Sequence, residues 1–141
     1  MSIWFKNYTV KDIVTKDTMV EHLGIEVTEL GNNYVVGTMP VDKRTKQPFG
    51  ILHGGASVAL AETLASYAGY LTIDPEKYHV VGVEINANHL KMAKKGTVTG
   101  KCSPIKIGRS TQVWQTEITN EENELICISR ITLMVLNKKL N

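Results

Sequence analysis

The run Gln47-Pro48-Phe49-Gly50-Ile51-Leu52-His53-Gly54-Gly55 leads into an apolar segment that carries Glu62 and Ser66. Gly54-Gly55 stands where a loop enters a helix. The first turn of a helix has amide N–H groups with no partner inside the helix, and the helix dipole adds positive potential there. Glycine lets a ligand approach that backbone closely. Such an end can hold a developing oxyanion, although the same two glycines also fit a plain tight turn. Glu62 lies seven residues after Gly55, two helical turns on, and Ser66 and Gly69 continue that face. A carboxylate within an apolar helix costs several kcal/mol unless it has partners or takes a proton. That marks Glu62 as a site candidate; the competing reading is a carboxylate that points into solvent or caps a polar contact at a subunit interface. His53, just before the glycines, can polarise a carbonyl or orient a water, or simply bond a backbone carbonyl.

Other chemistries find no footing. His22, His53, His79 and His89 show no HExxH or HxH spacing, so no metal is expected. Ser57 is not in a GxSxG elbow, and there is neither a P-loop nor a GxGxxG. Cys102 and Cys127 are too far apart for a CxxC motif and sit in strand-like surroundings, as inert core thiols do. A basic set, Lys91, Lys94, Lys95, Lys101, Lys106 and Arg109, lies near strand ends and turns. With Gly108, Ser110 and Thr111 it offers donors for a phosphate, or keeps sheet edges apart.

The elements that must position these residues read as follows. Residues 8–22 form one or two short amphipathic helices. Residues 23–29 and 33–39 alternate apolar and polar around Gly31-Asn32-Asn33, as a hairpin does. A loop over 40–50 precedes a long helix over roughly 54–72. Strand candidates follow at 80–89, 97–107, 110–119 and 125–136. About six strands joined by short turns, with one helix, predict an α+β fold with an antiparallel sheet. The helix is apolar nearly all round and needs cover on every side. One sheet covers one side, so an oligomer is expected.

The chain has 141 residues, 43% hydrophobic and 21% charged, with 16 Lys and Arg against 14 Asp and Glu. That suits one globular domain over 1–141. A net charge of +2 argues against nucleic acid. The segment 54–71 reaches membrane-spanning length, but Glu62 and its small residues favour a buried helix. With no leader pattern at the N-terminus, a cytoplasmic protein is expected.

The residues 39–71 (MPVDKRTKQPFGILHGGASVALAETLASYAGYL), 80–91 (VVGVEINANHLK) and 108–118 (GRSTQVWQTEI) resemble the hotdog-fold thioesterases. The branch is that of the Arthrobacter-type 4-hydroxybenzoyl-CoA thioesterase and the phenylacetate-pathway thioesterases. The strings come especially near the 1,4-dihydroxy-2-naphthoyl-CoA hydrolases. The HGG-x(6)-E pattern with its upstream Gln-Pro carries most of the specificity. The resemblance implies a long central helix wrapped by a curved antiparallel sheet, paired into dimers with a continuous sheet and commonly into tetramers. It implies hydrolysis of an acyl-CoA, with an aromatic acyl group foremost, dihydroxynaphthoyl of quinone synthesis in particular. No cofactor is implied beyond the coenzyme A of the substrate. Glu62 then stands at the catalytic carboxylate, Gly54 at the oxyanion glycine, and Gln47 and His53 where the carbonyl or the attacking group is oriented. Ser66 matches a hydroxyl one turn after the carboxylate. Gly82, His89, Leu90, Lys91 and Met92, with Lys106, Ile107, Gly108, Arg109, Ser110 and Thr111, match positions that hold coenzyme A, in part from a neighbouring subunit. The run 106–111 and the segment 89–95 depart from the relatives' residues. A hydroxyacyl-thioester dehydratase and an acyl-CoA-binding module are the alternatives.

Overall fold

The structure is a computed structural model that describes residues 1–139. A 3₁₀ turn at Val10–Asp12 and a one-turn helix α1, Met19–His22, open the chain. Strands β1 (Glu26–Leu30) and β2 (Val35–Pro40) form the expected hairpin. The long helix α2 spans Gly54–Leu71, and β3 (Tyr78–His89), β4 (Thr97–Ile107), β5 (Thr111–Thr119) and β6 (Leu125–Asn137) follow. The six strands form one antiparallel sheet in the order β1-β2-β4-β5-β6-β3. Among the described residues no helix is long and apolar enough to cross a membrane.

The first strand starts later than its alternation predicts. Leu23 caps α1, Gly24 takes a left-handed φ of 71°, and the Ile25 N–H donates to the Val20 carbonyl. Those three residues end a helix instead of beginning a strand.

α2 packs along β2, β3, β4, β5 and β6. Leu60, Leu64, Ala65 and Ala68 are fully buried against Val35, Met39, Val98, Trp114 and Leu133. Leu64 sits over Gly37 and Gly100, which face each other across β2 and β4. A Cβ on Gly37 would lie 2.6 Å from Leu64 Cδ2 and 2.8 Å from the Glu26 carbonyl oxygen. The paired glycines make the depression that lets the helix lie close. Gly37→Ala is expected to cost about 1–3 kcal/mol, because Leu64 is buried and a backbone carbonyl cannot step aside; urea denaturation measures it.

At the other end of α2, Trp114 Nε1 donates to Gln112 Oε1 at 2.9 Å, and Gln112 Nε2 donates to Thr72 Oγ1 at 2.9 Å. The Thr72 hydroxyl donates to the Gly69 carbonyl at 2.7 Å. This buried chain satisfies its members one after another and pins the helix end to β5. Cys102 and Cys127 are buried thiols, and burial pushes Cys102 up to about 12.

The far side of α2 is partly covered by the chain's own N-terminal segment. Val20 and Leu23 pack against the core, and the Tyr67 hydroxyl donates to the Val14 carbonyl at 2.8 Å. So the all-round apolar character of the helix does not by itself demand a partner. The open feature lies elsewhere. β1 is a short edge with Glu26 and Glu29 and a bulge, as guarded edges are. β3 is the other edge, twelve residues long, with Val81 40% and Val83 56% exposed.

Candidate active site

His53 caps α2. Its Nδ1 accepts from the Gly55 N–H at 2.7 Å, and its carbonyl accepts from the Ala56 and Ser57 N–H groups at 3.0 and 3.3 Å. Three of the four first-turn donors are therefore taken. Among the described residues the Gly54 N–H has no acceptor, so it is the donor left at the positive end of the helix.

The loop that delivers this end is tightly held. The Arg44 guanidinium and backbone N–H both bond Asp42, and hold its carboxyl down to about 2. Buried Thr45 donates to the Pro40 carbonyl at 2.7 Å, and its own carbonyl accepts the His53 N–H at 2.8 Å. The Leu52 N–H bonds the Ala93 carbonyl at 2.8 Å, joining this loop to the segment after β3. Between them, Gln47–Ile51 makes a turn in which Gln47 Oε1 accepts the Phe49 N–H. Among the described residues the Gln47 amide NH₂ has no acceptor, which makes it a second free donor.

Both donors face a cleft of about 500 Å³, lined by Gln47, Ile51, Gly54, Ser57, His89, Leu90, Lys91 and Met92 among others. The antiparallel register of β3 with β6 carries His89 to the start of α2. A Cβ on Gly54 would stand 2.8 Å from His89 Nε2, so only glycine leaves the imidazole its place. Gln47, Gly54 and the segment 89–92 thus come together around one cleft, with His89 nearer the helix end than a nucleotide contact implies. Ser57, set aside in the sequence as no nucleophile elbow, also lines the cleft. Its place one turn after His53 is the signal that finds it.

Glu62 is elsewhere. Eight residues along α2 from Gly54 is about 12 Å of rise and about 80° of rotation. Its carboxylate is exposed in this single chain, not sunk in an apolar helix, and among the described residues it accepts no side-chain hydrogen bond and forms no ion pair. It borders a separate cavity with Gly55, Val58, Ala59 and Thr63, spaced i, i+3, i+4, i+7 and i+8 on one helix face. On its other flank the carboxylate meets β3 at Gly82, where a Cβ would lie 3.1 Å from Glu62 Oε1. β3 bulges at Val83 immediately after this contact. Ser66 is half-buried one turn on. Gly82→Ala is expected to leave the melting temperature unchanged and to lower kcat about tenfold, by shifting the carboxylate a few tenths of an ångström.

His53 is at the helix start but turned from the cleft, beside Arg44, Thr45 and Gly55. The run Lys106–Thr111 lies at the opposite end of β3 from His89. There Arg109 and Ser110 share a depression with Tyr78 and Asn137. β3 is about 36 Å long, so the two groups matched to coenzyme A do not meet within one chain. Lys91 is paired with Glu124 at the surface.

A long helix held by a six-stranded antiparallel sheet, its free N-terminal donor opening on a cleft, is the hotdog thioesterase arrangement. The family model described as "Thioesterase superfamily" matches residues 49–127, and the chain belongs to that family and is a thioester hydrolase. It is 48% identical to the 1,4-dihydroxy-2-naphthoyl-CoA hydrolase of Escherichia coli over 136 residues, 95% of this chain and 99% of that one. It is equally 48% identical to a proofreading thioesterase of Cronobacter turicensis over 136 residues, with 95% and 98% covered. The crystal structure of a Haemophilus influenzae thioesterase superposes with a TM-score of 0.92 at 50% identity, covering 96% of this chain and 95% of that one.

Proposed function

We propose that this protein hydrolyses aryl-CoA thioesters, with Glu62 as the reactive carboxylate and the Gly54 N–H as oxyanion donor. The observation that carries the reading is the single unclaimed donor of the first turn of α2, opening beside Gln47 into the cleft of His89–Met92. The thioester oxygen accepts from the Gly54 N–H and the Gln47 amide. Glu62 either takes a proton from water as the oxygen of that water adds to the carbonyl carbon, or adds itself and forms a mixed anhydride that water opens. The C–S bond breaks and coenzyme A leaves as a thiolate, which needs no strong acid and no further cofactor. Single turnover in oxygen-18 water separates the two routes: label in the Glu62 carboxylate marks the anhydride.

The spacing of Gly54 and Glu62 along α2 supports a complete site shared between two copies. A second copy laid antiparallel on the open edge of β3, with Ile85 of one opposite Asn86 of the other, sets Gly82 of one copy against His89 of the other. Glu62 of one copy then faces Gly54 of its partner. The same pairing brings the 106–111 turn of one copy toward Lys91 and Met92 of the other, where it can meet a nucleotide phosphate. A dimer, or a tetramer of two such pairs, follows. The names of the relatives support a dihydroxynaphthoyl or another aryl group on the thioester. The test is thiol release from benzoyl-, hydroxyphenylacetyl-, dihydroxynaphthoyl-, acetyl- and palmitoyl-CoA, with the mass in solution measured in parallel. Fast release from aryl esters by an assembly of at least two chains upholds the reading. Binding without release, or release by a single chain, overturns it.

A further inference from the structure

Ser57 is a polar residue on an apolar stripe. It opens the run Leu60, Leu64 and Ala68, the face of α2 that packs on the sheet, and it is 3% exposed. Three other buried polar side chains are satisfied from within the fold. Thr45 donates to the Pro40 carbonyl, Gln112 bonds Thr72 and Trp114, and Ser129 donates to the Asn86 carbonyl at 2.9 Å. Among the described residues the Ser57 hydroxyl has no partner. Nor is it sealed away, as the unbonded Tyr8 hydroxyl is, because Ser57 lines the cleft on which Gly54 opens. Buried polar groups are hydrogen-bonded as a rule. A hydroxyl that keeps its place in a core stripe with none, at the floor of an active-site cleft, is free to meet what enters that cleft.

Ser57 follows Gly54 by three residues, so the two positions are neighbours about 5–6 Å apart on one helix face. Side chains on a helix lean toward its N-terminus, which brings this hydroxyl toward the Gly54 N–H. With the thioester oxygen on that N–H and the coenzyme A arm in the cleft, the first atom of the arm is sulfur. We infer that the Ser57 hydroxyl is a further catalytic donor, which bonds the sulfur as the C–S bond breaks. This rests on the oxyanion role given to Gly54 above. The electron pair of the breaking bond passes to sulfur. The Ser57 proton stays on its own oxygen and faces the new charge, and the thiolate takes a proton from water after it leaves. A neutral sulfur is a weak acceptor, whereas a thiolate is charged and a strong one. The bond therefore gains most in the transition state, which raises kcat and leaves substrate binding nearly unchanged. Lys91, which lines the same cleft, is already paired with Glu124.

The experiment compares wild type, Ser57→Ala and Ser57→Thr on 2-naphthoyl-CoA and on its selenoester, in which selenium replaces the sulfur. Selenolate is the better leaving group and needs less help. Calorimetry gives the Kd of the non-hydrolysable thioether S-(2-naphthacyl)-CoA, and thermal melts report stability. Ser57→Ala is expected to lose about tenfold in kcat on the thioester and less than about threefold on the selenoester. Its KM and thioether Kd stay within about twofold of wild type. Its melting temperature equals or exceeds that of wild type, since alanine suits a helix and the change takes an unbonded hydroxyl off an apolar stripe. Ser57→Thr keeps a hydroxyl there and restores the wild-type ratio between the two esters. An unchanged kcat in Ser57→Ala, or an equal loss on both esters, overturns the inference while leaving Glu62 chemistry intact. So does a loss confined to KM and Kd, which would make Ser57 a hold on the pantetheine arm, and so does a Ser57→Thr ratio that matches Ser57→Ala. Absence of release by wild type from either ester sinks the functional reading and this inference with it.

Discussion

Glu62→Ala is expected to lower kcat at least about a thousandfold while leaving the melting temperature within about a degree of wild type. A positioned base contributes about 10²–10⁴-fold, and a nucleophile at the same position contributes more, because its loss removes the covalent route altogether. Stability is spared because Glu62 is exposed, with no side-chain hydrogen bond and no ion pair among the described residues. Its removal leaves no donor orphaned. Glu62→Gln keeps the shape beside Gly82 and removes the charge, so it should lose as much. Steady-state thiol release with thermal melts of the same preparations checks both numbers. A loss of several degrees would make the carboxylate structural.

The second large effect is at Gly54, the first residue of α2. Gly54→Pro removes the N–H and nothing else that the helix uses, since proline is favoured at that position. His53 precedes it at φ −68° and ψ 131°, which suits a residue before proline. The ring also places a carbon where His89 packs, and Gly54→Ala controls for that. Gly54→Ala is expected to cost less than tenfold, because exposed His89 can give way. Gly54→Pro is expected to cost about 10²–10³-fold in kcat, the effect of one oxyanion donor. Equal losses in the two variants would assign the whole effect to the His89 contact.

The bounds of α2 were legible, because an apolar run between Gly54-Gly55 and Asp74-Pro75 admits little else. The six strands were legible from their alternation. The start of β1 was not, since Gly24 reads as part of an alternating run until the turn that ends α1 is seen. The exposure of Glu62 in the single chain was not legible for a related reason. Hydropathy along α2 cannot show that the neighbouring chain on that face is a thin segment, residues 14–25, that leaves the carboxylate in a cleft. His53 was legible as a residue of the helix start but not as its cap, for imidazole is an uncommon group in that role. His89 lies 35 residues from Gly54 in sequence, and only the register of β3 on β6 sets one against the other. The separation of the matched coenzyme A positions follows from the length of β3, which sequence alone does not place relative to the β4–β5 turn.

The strand order has a consequence in time. β3 bonds to β6 and to no other strand of its own chain, with partners roughly forty to sixty residues further on. α2 and β3 are made early, yet the one strand of this chain that β3 pairs with, β6, is made last. Pairing across such separations is slow, and an unpaired strand invites association. Folding should therefore be limited by the arrival of β6. The strand that docks last within the chain is the one whose other edge carries no strand of its own chain.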